Sequence, residues 1–205
     1  PPNNPWIHKE IDLSIDALLK KIHTEEQLDA LLKKLPPEQK KELMESPIVA
    51  KLQVPKFLHC VARGQQKEAE DLLKANPNAH FLLQAELFTD YSGRTFNCTA
   101  YEDAYWAKDE HMCRMLEKYM DEDTKAEMLE RCKAIEAVGL TYTQHDKEVS
   151  GSKHFDFAPL IKALDDYVKG FEKWSYDERV AAWMKVGLAQ RDVTDNVIDE
   201  YCRPD

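Results

Sequence analysis

Glycine is scarce, with six in 205 residues, and clustered runs of Val, Ile and Thr are nearly absent. The usual material of sheet-rich folds is therefore missing. No Cys-x-x-C pair occurs, and Cys60, Cys98, Cys113, Cys132 and Cys202 are odd in number and widely spaced. Neither a disulfide framework nor a zinc site is expected, and a reducing compartment fits best. No apolar run approaches the ~20 residues of a spanning helix. Pro1 to Pro5 lack the basic start and apolar core of a signal peptide, so the Asn97-Cys98-Thr99 sequon is read as an accident rather than a glycosylation site. Basic residues are outnumbered, 28 Lys and Arg against 38 Asp and Glu, for a net charge of −10. Without a basic stripe, nucleic acid and anionic membrane are poor partners, and a basic protein surface is the better expectation. No i, i+4 His pair is present, so no metal and no cofactor is expected.

What is present is helix-forming. Ala, Leu, Glu, Lys, Gln and Met dominate, and the reading is an all-α fold. The octapeptide Ile15-Asp16-Ala17-Leu18-Leu19-Lys20-Lys21-Ile22 recurs as Leu28-Asp29-Ala30-Leu31-Leu32-Lys33-Lys34-Leu35. Each copy places apolar residues at i, i+3, i+4 and i+7, which is one helical face. Thr24 and Gln27 make a capping box for the second copy, and Pro36-Pro37 ends that helix and starts another reaching Ser46-Pro47. Residues 1–52 therefore form an N-terminal helical hairpin cap.

From Val54 the pattern changes. Pro55, Phe57, His59, Cys60, Val61 and Gly64, followed by Ala69, Leu72 and Leu73, resemble an ankyrin repeat. In that family two short antiparallel helices follow a T-P-L-H-x-A opening, with a Gly at the turn and a Leu-Leu pair in the second helix. Only the Thr is missing. Asp90-Tyr91-Ser92-Gly93-Arg94-Thr95 looks like the finger preceding a second copy, with Asp starting the turn and Gly allowing a positive φ. That copy opens at Thr99-Ala100-Tyr101-Glu102-Asp103-Ala104 and continues through Asp109, Met112, Cys113 and Leu116. The spacing of the two openings exceeds the repeat's usual ~33 residues, so the 76–97 segment is read as an enlarged loop. A helix over Asp121 to Ala137 has Thr124 as its N-cap and Gly139 as its stop. Thr141 to Lys153 reads as a mobile loop around Gly151. Leu160, Leu164, Tyr167, Val168, Phe171 and Trp174 mark a long amphipathic helix. Ser175 with Glu178 boxes the next one, and Thr194 caps a last one. The core is expected over 53–175 and a C-terminal cap over 176–205, all one continuous domain.

Leu83 to Thr99, Val186 to Val193 and Glu200 to Asp205 are similar to segments of divergent ankyrin-containing effectors that intracellular bacterial pathogens secrete, by a type IV system, into the host cytoplasm. The resemblance implies a protein-binding module whose partner is a host or bacterial protein, and a chain that continues past a Cys-Arg-Pro-Asp segment. In the ankyrin frame the concave positions are His59, Ala62 and Arg63 in the first copy and Asp103, Trp106 and Ala107 in the second. Tyr91, Arg94 and Phe96 lie on the finger. The expected protein-binding set is His59, Arg63, Tyr91, Arg94, Asp103 and Trp106, since exposed Trp and Arg dominate interface energies. The opposing reading packs Trp106 beneath the 76–97 segment. Tyr167, Phe171, Trp174 and Trp183 are read as core. A Cys-dependent hydrolase or transferase is the alternative, with a regulator of another effector as the third reading. His59-Cys60 and His111-Met112-Cys113 cannot pair within a helix, which leaves only a distant base such as His80, His145 or His154.

Overall fold

The computed structural model describes residues 18–19, 22–44, 46–76 and 82–202, and the chain divides into two compact units, Pro1–Gln53 and Val54–Asp205. In the first, α1 (Glu25–Leu32) and α2 (Pro37–Met44) follow the punctuation read from the sequence. The Thr24 hydroxyl accepts the Gln27 N–H at 3.3 Å, and the Gln27 carboxamide reaches back to the His23 N–H at 2.8 Å. Ile22, Leu28, Leu43 and Val49 form the core, with Leu31, Leu32 and Leu35 packed against it. The first octapeptide copy falls largely outside the described residues, as do Pro1 to Pro5, His80 and Arg203 to Asp205.

Helix α3 (Pro47–Ala62) carries Pro55 in its interior rather than at its start. Pro55 is exposed. Gly64, at φ 66°, turns the chain into α4 (Gln66–Ala75), which buries Ala69 and Leu73. A second helix pair, α5 (Ala100–Trp106) and α6 (Glu110–Glu117), starts from a complete Thr99–Glu102 capping box. Lys108, at φ 58°, holds the turn position that Gly64 holds in the first pair, and Asp109 caps α6 through the Met112 N–H at 2.9 Å. Helix α7 (Glu122–Val138) follows. Its N-cap is Asp121 rather than Thr124, which lies buried three residues in and donates its backbone N–H to the Asp121 carboxylate at 2.8 Å.

The all-α expectation is overturned by four strands. β1 (Glu86–Thr89), β2 (Thr95–Cys98), β3 (Leu140–Gln144) and β4 (Lys147–Ser152) form one antiparallel sheet in the order β1-β2-β3-β4. The fold is mixed α and β, not an all-α array. The ankyrin-like finger is the turn of the first hairpin, and the polar segment read as a mobile loop is the second hairpin. Pairing of Phe88 with Phe96 and of Phe96 with Tyr142 builds an aromatic row across the sheet, with ring centroids 5.8 and 5.0 Å apart. Directly opposed residues on neighbouring strands share a face, so these rings line one side of the sheet. His145 and Asp146, at φ 50° and 59°, make the two-residue turn that right-handed strand twist favours. Gly139 ends α7 at φ 75° and passes so close to the Gly151 backbone that a Cβ there would stand 2.2 Å from its carbonyl carbon. Only glycine fits that crossing.

Three helices complete the second unit: α8 (Ala158–Gly170), α9 (Tyr176–Arg191) and α10 (Asp195–Cys202). The Ser175–Glu178 capping box is complete. Thr194 precedes α10, but its hydroxyl makes no hydrogen bond. Among the described residues no helix is long and apolar enough to cross a membrane.

Candidate functional site

Three of the six residues expected at a protein-binding surface are buried instead. Arg94 and Trp106 are each 1 % exposed and Asp103 is 5 % exposed. They converge beneath the sheet. The Asp90 carboxylate accepts the Arg94 backbone N–H at 2.8 Å and its Nε at 2.7 Å, while Arg94 Nη1 donates to the Asp192 carbonyl at 2.6 Å. The guanidinium lies over Trp106 and Phe155, 5.2 and 5.1 Å from the ring centroids. Ser92 Oγ donates to the Val193 carbonyl at 2.8 Å. The 90–94 turn is therefore plugged into the connection after α9 rather than held out to solvent. Phe96, 1 % exposed, belongs to the same core. Arg63, Tyr91 and His59 do reach the surface: Tyr91 is 65 % exposed, with the Arg63 guanidinium 5.9 Å from its ring centroid, and His59 is exposed.

Burial pushes the Asp103 carboxyl up to about 8, with Asp90 and Asp109 also raising it and Arg94 opposing them. An unfolded carboxyl of this type ionises near 3.8. Between those two values folding takes up a proton, so this group stabilises the fold at low pH and loses that contribution as pH rises toward 8. Asp103→Asn is expected to remove that part of the pH dependence, with its largest gain over the natural chain above pH 8. Thermal midpoints of both proteins from pH 4 to pH 9 check it, and parallel curves would refute the assignment.

A different set of residues forms a largely apolar groove. A groove of about 520 Å³ is lined by Tyr101, Tyr105, Glu117, Met120, Lys125, Met128, Leu129, Cys132, Lys133 and Glu136. Tyr101 and Tyr105 stand i, i+4 on α5, and Met128, Cys132 and Glu136 share the same spacing on α7, so each helix contributes one wall. Met120, Met128 and Cys132 are buried. Both tyrosines are fixed at their tips, Tyr101 donating to Glu117 at 2.6 Å and Tyr105 to Glu136 at 2.8 Å. Glu136 also meets His154 Nε2 at 2.7 Å. The hydrogen bond to Glu136, with burial, pushes the Tyr105 hydroxyl up to about 12, and the same bond followed by that to His154 holds Glu136 below the usual carboxylate range.

The thiols in and beside the groove are held in their protonated form. Burial pushes the Cys132 thiol up to about 11 and its neighbour Cys113 up to about 12. A thiol is a nucleophile only as its thiolate. Burial drives Cys98 well above its ordinary value too. The charged rim is paired within the chain: Lys125 with Glu122 at 2.8 Å and Lys133 with Glu130 at 2.7 Å. What remains open is apolar surface between the tyrosine wall of α5 and the thioether and thiol wall of α7. The sequence showed both i, i+4 pairs, but not that they face each other.

A family model for the C-terminal domain of CBUA0006 matches residues 159–205, which is α8, α9, α10 and the residues after them. The chain is similar to a protein of Coxiella burnetii (strain RSA 493 / Nine Mile phase I) described as "Uncharacterized protein CBUA0006". The two are 38 % identical over 164 residues, covering 73 % of this chain and 48 % of the relative. The chain thus spans about half the length of the curated relative it matches. No solved structure matches it.

Proposed function

We propose that this chain is a protein-binding module of a secreted effector, working in the reducing host cytoplasm, and that the α5–α7 groove receives the aliphatic side chains of a partner's amphipathic helix. The observation that carries the reading is the pre-organised apolar slot itself. Its tyrosine wall is locked by carboxylates, the facing wall carries thioether and thiol, and its size falls in the ~300–1,000 Å³ range of ligand-binding clefts. Methionine adapts to irregular apolar partners. Because the rim charges are already paired, recognition rests on apolar burial rather than charge. The raised thiols count against a Cys-dependent hydrolase. The effector setting rests on the sequence resemblance carried by Leu83 to Thr99, Val186 to Val193 and Glu200 to Asp205.

Leu129, at the lip of the groove and 56 % exposed, can be changed without disturbing the core. Affinity capture from host cytosol supplies a protein partner, whose binding is then titrated by calorimetry against the natural chain, Leu129→Asp and Tyr105→Ala. The expected result is affinity weaker by about tenfold or more for both variants, the size of an interface hot spot. Equal affinity for all three proteins would remove the groove from recognition.

A further inference from the structure

Helices α8 and α9 pack on each other as a hairpin. The Tyr167 ring stands 5.0 Å from Trp183 and 5.5 Å from Phe171, and the Arg179 guanidinium covers Phe171 at 4.6 Å. The turn is fixed by Gly170, against which the Trp174 indole closes so tightly that a Cβ would meet it at 2.1 Å. The apolar residues of this hairpin read as core in the sequence, and several are not. Leu164 and Val168 on α8 with Phe171 at its C-cap, and Val180, Trp183 and Met184 on α9, are all exposed, Val168 at 72 % and Trp183 at 52 %. Their spacings of three and four place each trio along one side of its helix.

Two observations identify what covers this face. The first is area. Taking large side chains at about 150–250 Å² when fully exposed, these six leave roughly 600 Å² of apolar surface open. That is the upper end of what a monomer tolerates and close to the ~800 Å² each partner gives to a standard interface. Exposed Ile161 and Leu188 extend it. The second is charge. Residues 158–191 carry six basic and five acidic side chains, a net of +1, within a chain of net charge −10. Two copies meeting through their acidic surfaces repel each other, whereas the hairpins meet without that cost. On α8, Lys162 and Lys169 are further neutralised by Asp166 and Asp165.

We infer that this face is the two-fold interface of a homodimer, in which two hairpins form a four-helix bundle with Trp183 and Phe171 near its centre. The same patch on both copies makes a closed, isologous contact, and packed helix pairs of this kind form the usual four-helix arrangement. The inference stands independently of the α5–α7 groove.

Sedimentation velocity of the 205-residue chain from about 1 to about 200 µM, a range that brackets micromolar dissociation, tests it. The expected result is a monomer–dimer equilibrium with dimer dominant at the top of the range. Trp183→Asp and Val168→Asp should each raise the dissociation constant by at least about tenfold. Trp183 touches Tyr167, so its variant can loosen the hairpin; the Val168 side chain is mostly in solvent, and its variant reports the interface with the helical circular dichroism unchanged. A monomer at every concentration assigns the face to some other occupant and overturns the inference. A dimer indifferent to Val168→Asp overturns it as well.

Discussion

Replacing Arg94 with Met is expected to lower the unfolding free energy by about 3–5 kcal/mol in urea titrations at neutral pH, the cost of stranding one partner of a buried ion pair. Asp90 is 8 % exposed at its side chain and has Arg94 as its salt-bridge partner at 2.7 Å. Without the guanidinium its carboxylate stays buried beside Asp103, and the Asp192 carbonyl loses its donor. The substitution also strips the cation from between Trp106 and Phe155, a contact worth about 2 kcal/mol when desolvated. Pairing Arg94→Met with Asp90→Asn is expected to recover part of the loss, because the carboxamide oxygen can still accept the backbone N–H of residue 94 at no charge cost. A single-variant loss below about 1 kcal/mol, the range of exposed pairs, would show that the node is solvated.

Trp106→Ala is the second large effect, with an expected loss of about 3–5 kcal/mol. One ring serves four neighbours: Phe96 at 5.0 Å, Tyr142 at 5.5 Å, Phe155 at 6.1 Å and the Arg94 guanidinium. Its Nε1 donates to Ser152 Oγ at 2.9 Å, which ties α5 to the edge strand β4. Trp106→Phe keeps most of the ring contacts, loses the hydrogen bond, and is expected to cost about 1–2 kcal/mol. Urea unfolding followed by far-ultraviolet circular dichroism, which does not depend on the substituted ring, separates the two. On an exposed binding surface either change would stay within about 0.5 kcal/mol. A null effect on stability would return Trp106 to the recognition role that the ankyrin frame assigned to it.

Those two residues mark where inference from the linear pattern stopped. The Asp90 to Arg94 turn is legible: Asp at its start, Gly93 at φ 80°, and the carboxylate capping the backbone four residues on. Nothing local shows that Asp192 and Phe155, far along the chain, close over it. The strands were hidden for a related reason. Thr95-Phe96-Asn97-Cys98 and Leu140-Thr141-Tyr142-Thr143-Gln144 alternate as strands should, but each is four or five residues long and lacks a β-branched run. Such short strands mean little until Phe96 and Tyr142, distant in sequence, pair. The groove fared likewise, since Tyr101 with Tyr105 and Met128 with Cys132 are plain as helical neighbours and silent about each other.

The sequence by itself determined the helix-forming character of most of the chain, the Thr24 and Ser175 caps, and the Gly64, Gly93 and Gly139 turns, because these depend on contacts within about four residues. Tertiary structure alone decided that the chain carries a sheet, that Arg94, Asp103 and Trp106 are core while Phe171 and Trp183 are surface, and that α5 and α7 enclose a slot. Burial is a property of what approaches from elsewhere in the chain, and a residue's type and local period constrain it only weakly.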